Sequence, residues 1–166
     1  MQNKKALIIG ATGATGTALL NQLLDSEHYG KVHVFARKDI GLKHSKLKWH
    51  IVDFDKVDSW SGLLKGDVLF SALGTTLKIA GSKEVQYKID YTYQYEVAKA
   101  AAENGTPSLL LVSSVGSSSR SPFFYTKIKG QLEDAVGMMK FTNVHIFQPP
   151  MPVSYTHLTL PTTPYV

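Results

Sequence analysis

Residues 5–16 read KALIIGATGATG, in which a short apolar run is followed at once by glycines at positions 10, 13 and 16. A buried strand that enters a glycine-rich turn and then a helix is typical of a dinucleotide-binding unit. The first glycine permits a sharp turn, the second lets the backbone approach a pyrophosphate, and the third lets the helix pack against the sheet. An unliganded glycine-rich turn is the alternative. The predicted cofactor contacts in this loop are Gly10, Thr12, Gly13, Ala14, Thr15 and Gly16.

Short apolar segments alternate with helical patterns along the rest of the chain. This alternation predicts a parallel sheet covered on both faces, which is a Rossmann-like, doubly wound α/β fold. The predicted strands are 5–9, 31–36, 49–52, 68–73, 109–113 and 144–147. Predicted helices cover 13–26, 85–104 and 122–139, with Gly105 ending the second, Ser121 capping the third and Pro122 in its first turn.

The segments that follow the second, third and fourth strands carry further candidate cofactor contacts. Arg37 and Lys38 suit a ribose 2′-phosphate, so the sequence favours NADP(H) over NAD(H). Asp53 is predicted to accept from the adenine amino group, with Phe54 beside the ring, although a helix N-cap explains Asp53 nearly as well. Leu73, Gly74 and Thr75 end the fourth strand, where the backbone is predicted to pass beneath the cofactor ribose.

Tyr125 and Lys129 form a YxxxK pair whose i, i+4 spacing places both side chains on one helix face. A nearby ammonium lowers the pKa of a phenol, which would make Tyr125 an acid or base near neutral pH. Tyr95 and Lys99 repeat the spacing, but they lie within the preceding helix, where Tyr95 is expected to pack. Ser114, in preference to Ser113, is predicted to hold the oxygen of a substrate.

The motifs GATGATG (10–16), LGTT (73–76), AGSKE (80–84), VSSVG (112–116) and SPFFYTKIKG (121–130) occur in this order along the chain. Together they resemble the atypical short-chain dehydrogenase/reductases, in the NAD(P)H-binding, Tat-interacting-protein-like branch, over about residues 5–150. The resemblance implies a Rossmann fold, an NADP(H) preference and a catalytic constellation of Ser114, Tyr125 and Lys129.

The chain departs from the pattern of that family at three places. Asp90 stands where many extended relatives carry an active-site Asn, and Gln148-Pro149 stands in place of Arg-Pro. The C-terminal part that completes the sheet and shapes the substrate pocket in relatives is absent. The first two departures are expected to be tolerated, whereas the third puts the activity of this chain in doubt.

The last residues of the chain have a different composition. Residues 152–166 contain no Lys, Arg, Asp or Glu, and the stretch 152–163 resembles a translated transposase sequencing adapter. The sequence therefore predicts a truncated NAD(P)-binding domain over 1–151 and a non-native tail over 152–166.

Composition and charge exclude several classes of protein. With no cysteine and no ligand spacing among the 6 histidines, no metal site is expected. The net charge of +5 is carried by scattered residues without interleaved aromatic side chains, which argues against a nucleic-acid partner. No apolar run reaches the length of a secretory or membrane segment, so a cytoplasmic protein without a membrane partner is expected.

Two functions remain in view. The first is an NADP(H)-dependent oxidoreductase that transfers hydride to or from a small carbonyl or alcohol substrate. The alternative is a non-catalytic NADP(H)-binding regulator that acts through a protein partner. The substrate and the oligomeric state, a homodimer included, are left open.

Overall fold

The computed structural model describes residues 3–150, which form one six-stranded parallel sheet in the order β3-β2-β1-β4-β5-β6. This order is that of a Rossmann fold, so the predicted fold class is confirmed. The strands are β1 Lys4–Ile9, β2 Tyr29–Ala36, β3 Leu47–Ile51, β4 Val68–Ser71, β5 Ser108–Val112 and β6 Asn143–Phe147. The strand order reverses between β1 and β4, which is where such sheets bind their ligands, at the carboxyl ends of the strands.

Helical segments lie in all three predicted regions, and a further short helix at 77–80 was not predicted. They are α1 Ala14–Asp25, α2 Leu77–Ala80, α3 Lys83–Tyr87, α4 Tyr93–Glu103 and α5 Phe124–Gly137. Gly105, at φ +82°, ends α4 as expected. The sequence did not predict that a π-helical turn, Lys88–Thr92, joins α3 to α4. Turns of this kind are rare and frequently lie at functional sites.

Successive side chains of the buried strands point to opposite faces of the sheet, so the core consists of one apolar cluster on each face. In β1, Leu7 and Ile9 belong to the cluster covered by α4 and α5, whereas Ala6 and Ile8 pack toward α1. All four are fully buried. Side chains that alternate between two covered faces explain why the strand reads as a continuous apolar run.

One local prediction is wrong. Ser121 does not cap α5, because the helix begins two residues later than the predicted Pro122 and its N-cap is Phe123. The Ser121 side chain instead accepts from the N–H of Phe123 and bonds to the Thr126 hydroxyl. Lys46, in the loop before β3, donates to the carbonyl oxygens of Leu24 and Ser26 at 2.8 Å, where a cation stabilises the C-terminus of α1.

A pair of histidines joins β2 to β3. His33 Nδ1 and His50 Nε2 lie 2.9 Å apart, and the His50 ring stacks on Phe35. Burial, together with the positive charge of Lys5, His50, Lys48 and Lys31, lowers the pKa of His33 to about 4. Burial also lowers the pKa of His50, so both rings are neutral in the folded protein at neutral pH.

The lowered pKa of His33 predicts that the fold loses stability in mild acid. The unfolded chain takes up a proton near pH 6.5, whereas the folded chain resists it down to about pH 4. The contribution of His33 to the free energy of unfolding is therefore fully present above pH 6.5 and is lost as the pH drops toward 4. The loss is on the order of 1–2 kcal/mol after allowance for solvent screening. Urea unfolding at a series of pH values measures this loss. His33→Gln should flatten the profile and exposed His28→Gln should not, so equal slopes in both variants would contradict the assignment.

Among residues 3–150, none of the helices combines the length and the apolar character needed to cross a bilayer. The tail predicted for 152–166 lies outside the described residues.

Candidate functional site

The glycine loop between β1 and α1 is shaped by close backbone contacts. Gly10 has φ +80°, and a Cβ there would lie 2.3 Å from the carbonyl carbon of Ala72, just past β4. A Cβ on Gly16 would lie 1.9 Å from the carbonyl oxygen of Gly10. The structure thus gives Gly10 the sharp turn and Gly16 the close packing that the sequence predicts. Gly13 meets only an ordinary contact, 3.6 Å from the same oxygen, so its role toward an anion stays a prediction.

The N-terminus of α1 is suited to bind an anion. Its N-cap is Gly13, which has no side chain to accept from the first turn. Residues 12–15 are exposed while Gly16 is buried. The Thr17 hydroxyl donates to the carbonyl oxygen of Ala11 at 3.1 Å and so fixes the loop to the helix. A rigid loop with exposed, uncapped N–H groups at a helix N-terminus fits the diphosphate of a dinucleotide.

Arg37 and Lys38 follow β2 directly, at the edge of the sheet where the glycine loop follows β1. The two strands are parallel and Ile9 pairs with Phe35, so both segments leave the sheet on the same side. Arg37 and Lys38 are exposed, and within residues 3–150 neither forms an ion pair. Two unpaired cations beside the loop are available to a phosphate group.

At the end of β3, the structure gives structural roles to both predicted adenine contacts. Asp53 caps a 3-10 turn, and its carboxylate accepts from the N–H of Asp55 at 2.9 Å. The Phe54 ring is 7% exposed and packs against Trp60 and Tyr93. The helix-cap alternative for Asp53 is therefore realised, and contact of either residue with adenine stays a prediction.

The segment after β4 packs onto a buried ion pair. A Cβ on Gly74 would lie 3.2 Å from Asp90 Oδ1 and 3.6 Å from Lys129 Nζ. The N–H of Thr75 donates to the same Asp90 oxygen at 3.2 Å, and Leu73 packs against the core. Packing against this ion pair thus also explains the glycine at position 74. The predicted passage of the backbone beneath a ribose is a separate explanation.

The two YxxxK pairs have different surroundings. Lys129 is buried, and its Nζ lies 5.9 Å from the centre of the Tyr125 ring, which is partly exposed. Tyr95 stacks on Tyr91 with ring centres 5.7 Å apart, and Lys99 points to solvent. Only the first pair combines a buried ammonium with a partly accessible phenol at the carboxyl edge of the sheet.

The buried partner of Lys129 is Asp90, in the π-helical turn. Its Oδ1 lies 3.1 Å from Lys129 Nζ, and its side chain is fully buried. Among the described residues, Asp90 Oδ2 has no hydrogen-bond partner. Burial raises the pKa of Asp90 above its ordinary value, although Lys129 opposes this. The sequence did not reveal this pairing, because the two residues lie far apart on different helices.

Buried hydrogen bonds through Gln94 to Ser71 hold the backbone of Asp90 in place. Gln94 donates to the backbone carbonyl of Asp90 at 3.0 Å and accepts from the Ser71 hydroxyl at 2.7 Å. Gln94 and Ser71 are themselves buried. Since Ser71 ends β4, this chain of bonds fixes the π-helical turn to the sheet.

Ser113 and Ser114 follow β5 and are both nearly buried. The Ser113 hydroxyl donates to Ser117 Oγ at 3.2 Å, and Ser117 donates to the carbonyl of Ser114 at 2.6 Å. Ser114 Oγ lies 3.5 Å from the Val115 carbonyl, a weak bond that it can exchange for one to a ligand.

The loop that carries these serines is fastened to α5. The N–H of Ser118 donates to the carbonyl of Thr126 at 3.0 Å. A Cβ on Gly130 would lie 2.1 Å from the carbonyl carbon of Ser118, so the loop lies directly against the helix. This packing places the end of β5 beside the helix of Tyr125 and Lys129.

Comparisons with known proteins agree with this geometry. A family model described as NAD(P)H-binding matches residues 10–140. "Protein FMP52, mitochondrial" of Meyerozyma guilliermondii is 37% identical over 87% of this chain and 63% of its own length. "Protein HTATIP2" of Rattus norvegicus is 33% identical over 90% of this chain and 63% of its own. The chain therefore spans a little under two thirds of the length of these relatives.

Solved structures share the fold at low sequence identity. MoeE5 in complex with UDP-glucose and NAD superposes with a TM-score of 0.71 at 16% identity, over 87% of this chain and 53% of that one. WbmG of Bordetella bronchiseptica in complex with NAD gives 0.66 at 18% identity, over 86% and 52%. These likenesses support the Rossmann fold alone.

The names of the yeast relatives correct one expectation from the sequence. Several of them, from Meyerozyma guilliermondii to Saccharomyces cerevisiae, are named as mitochondrial. The expectation of a cytoplasmic protein is therefore wrong, since the finding points to mitochondria. The family itself is shown by a model that matches most of the chain: this protein belongs to the NAD(P)H-binding family.

Proposed function

We propose that this chain belongs to an NADP(H)-dependent oxidoreductase that transfers hydride to or from a small carbonyl or alcohol substrate. The observation that carries the proposal is the placement of Tyr125 and Lys129 on one face of α5, with Lys129 buried against Gly74 at the end of β4. This end of β4 adjoins the glycine loop, since Gly10 packs against Ala72. Proton-transfer groups and dinucleotide-binding loop thus lie at one edge of the sheet.

The side chains of the site would divide the work of carbonyl reduction. NADPH, when bound, supplies hydride from C4 of its nicotinamide to the carbonyl carbon. Tyr125 gives its phenolic proton to the carbonyl oxygen, and Ser114 donates a hydrogen bond to the same oxygen. Lys129 stabilises the phenolate that remains and donates to the nicotinamide ribose. The reverse steps oxidise an alcohol.

The exposed cations after β2 support a preference for NADP(H). Arg37 can make a bidentate contact with a 2′-phosphate, and Lys38 adds a second positive charge. Neither side chain is engaged in an ion pair by the described part of the chain, so binding the phosphate breaks no existing salt bridge.

Arg37→Ala should weaken NADPH binding by about tenfold or more and leave NADH binding nearly unchanged, because only NADPH carries the 2′-phosphate. Titration of the chain with each cofactor, followed by nicotinamide fluorescence, measures both affinities. Lys65→Ala is the matched control, since it removes an exposed cation just before β4, at the opposite edge of the sheet. If NADH binds as tightly as NADPH and Arg37→Ala changes neither, the proposed cofactor preference is wrong.

A panel of aldehydes and ketones tests the reaction itself. Turnover with NADPH on any member supports the oxidoreductase. NADPH binding without turnover across the panel, together with cofactor-dependent capture of a protein partner, would favour the non-catalytic regulator instead.

A further inference from the structure

The buried carboxylate of Asp90 changes the charge that Tyr125 experiences. An isolated ammonium at Lys129 would attract a phenolate strongly, because the surroundings are shielded from solvent. Here, however, Asp90 Oδ1 lies 3.1 Å from Lys129 Nζ, and both side chains are buried. A carboxylate and an ammonium in contact have no net charge, so the attraction for a phenolate is weaker than that of the ammonium alone.

The arrangement around Asp90 is built to hold the pair in one geometry. The N–H of Thr75 donates to Asp90 Oδ1, and the buried Gln86 side chain lowers the pKa of the carboxyl. Gln94 holds the backbone of Asp90 from α4, and the π-helical turn places the residue beneath Gly74. A Cβ at position 74 would lie only 3.2 Å from Asp90 Oδ1 and would crowd it, while making an ordinary contact with Lys129 Nζ at 3.6 Å.

We propose that Asp90 is a positioning residue that holds Lys129 beside Tyr125 and offsets its positive charge, thereby setting the pH range over which Tyr125 exchanges its proton. The inference deepens the proposed function and rests on it for the role of Tyr125. The groups that face Asp90 are Thr75 from the loop after β4, Gln86 from α3, and Lys129 from α5. Of these, Lys129 is the charged group, so the net charge at this site is set by Lys129 and Asp90 together.

Among residues 3–150, Asp90 Oδ2 has no hydrogen-bond partner, and this affects the charge of the pair. A buried carboxylate oxygen without a donor favours the protonated acid, and burial raises the pKa of Asp90 accordingly. Lys129 opposes that protonation through its charge and its hydrogen bond. The charge of the pair is therefore set by the balance between burial and Lys129.

The test reads the ionisation of Tyr125 directly, without a substrate. Carbon-13 at Cζ of tyrosine reports the phenol and the phenolate by NMR, and the Tyr125 signal is assigned as the one missing from Tyr125→Phe. Asp90→Asn keeps the shape of the side chain and removes its charge. We expect the pKa of Tyr125 to fall by about one pH unit in Asp90→Asn, because Lys129 is no longer offset. The signal of Tyr29, on β2, should not move.

A second variant guards against a purely structural effect. When Asp90→Asn is combined with Lys129→Met, both members of the pair are uncharged. The net charge at this site is then zero, as it is for the native ion pair. The pKa of Tyr125 in this double variant should therefore lie within about half a pH unit of the wild type. A drop in Asp90→Asn with recovery in the double variant supports the proposal. An unchanged Tyr125 in Asp90→Asn, or a double variant far above the wild type, overturns it.

The same variants separate this inference from the proposed function. If the protein reduces carbonyls, the alkaline limb of the pH–rate profile of Asp90→Asn should move in the same direction as the NMR titration, because Tyr125 must be protonated to donate. If Tyr125 shifts by NMR but the wild type turns over no substrate, the inference stands and the oxidoreductase proposal fails. If turnover depends on Tyr125 but the pKa of Tyr125 is unchanged in Asp90→Asn, the oxidoreductase proposal stands and this inference fails.

Discussion

Tyr125→Phe is expected to lower NADPH-dependent carbonyl reduction by about 10²–10⁴-fold, because it removes the proton that the phenol would give to the carbonyl oxygen. The ring and its contact with Lys129, 5.9 Å away, are retained. Cofactor affinity should therefore change little. The two measurements are the initial rate with the best substrate of the carbonyl panel and an NADPH titration of the same preparation.

Tyr95→Phe provides the matched control for this experiment. Tyr95 has the same spacing to a lysine, but its ring stacks on Tyr91 and Lys99 is exposed. Tyr95→Phe removes one hydroxyl, and we expect it to leave the rate of carbonyl reduction unchanged. Full activity in Tyr125→Phe would eliminate Tyr125 as the proton donor, and equal losses in both variants would indicate a general loss of structure.

Asp90→Ala is expected to destabilise the fold by about 3–5 kcal/mol, because it leaves the ammonium of Lys129 buried without its counter-charge. The side chain of Lys129 is only 4% exposed, so water cannot replace the lost partner without local rearrangement. Urea unfolding at neutral pH, with the midpoint and the slope both recorded, measures the loss.

Removing both charges should restore most of that stability. Asp90→Ala with Lys129→Met buries an apolar chain where a charge had been, and replacement of a whole buried pair is often nearly neutral. Asp134→Ala, at an exposed position of α5, should change stability by less than about 0.5 kcal/mol. A double variant no more stable than Asp90→Ala alone would contradict the explanation by an unpaired buried charge.

The comparison of sequence with structure separates local from distant effects. The alternation of β1, α1 and β2 was predictable because each element expresses its own hydrophobic pattern, and short strands buried on both faces read as apolar runs. The turn at Gly10 was predictable for a similar reason, since a glycine between strand and helix has few other purposes. The start of α5 was misplaced because Ser and Pro at 121–122 imitate a helix start, whereas the helix begins at Phe124.

The sequence by itself determined the alternation of strands and helices that is typical of a Rossmann fold, the glycine loop and the YxxxK pair on α5. These are encoded in neighbouring residues, and the physical rules that read them act over a few positions. Only the tertiary structure decided which lysine is buried, that its partner is Asp90, and that Phe54 belongs to the core. Those features join α5 to the π-helical turn and the end of β4, and burial and electrostatic pairing depend on distances in space that sequence spacing does not record.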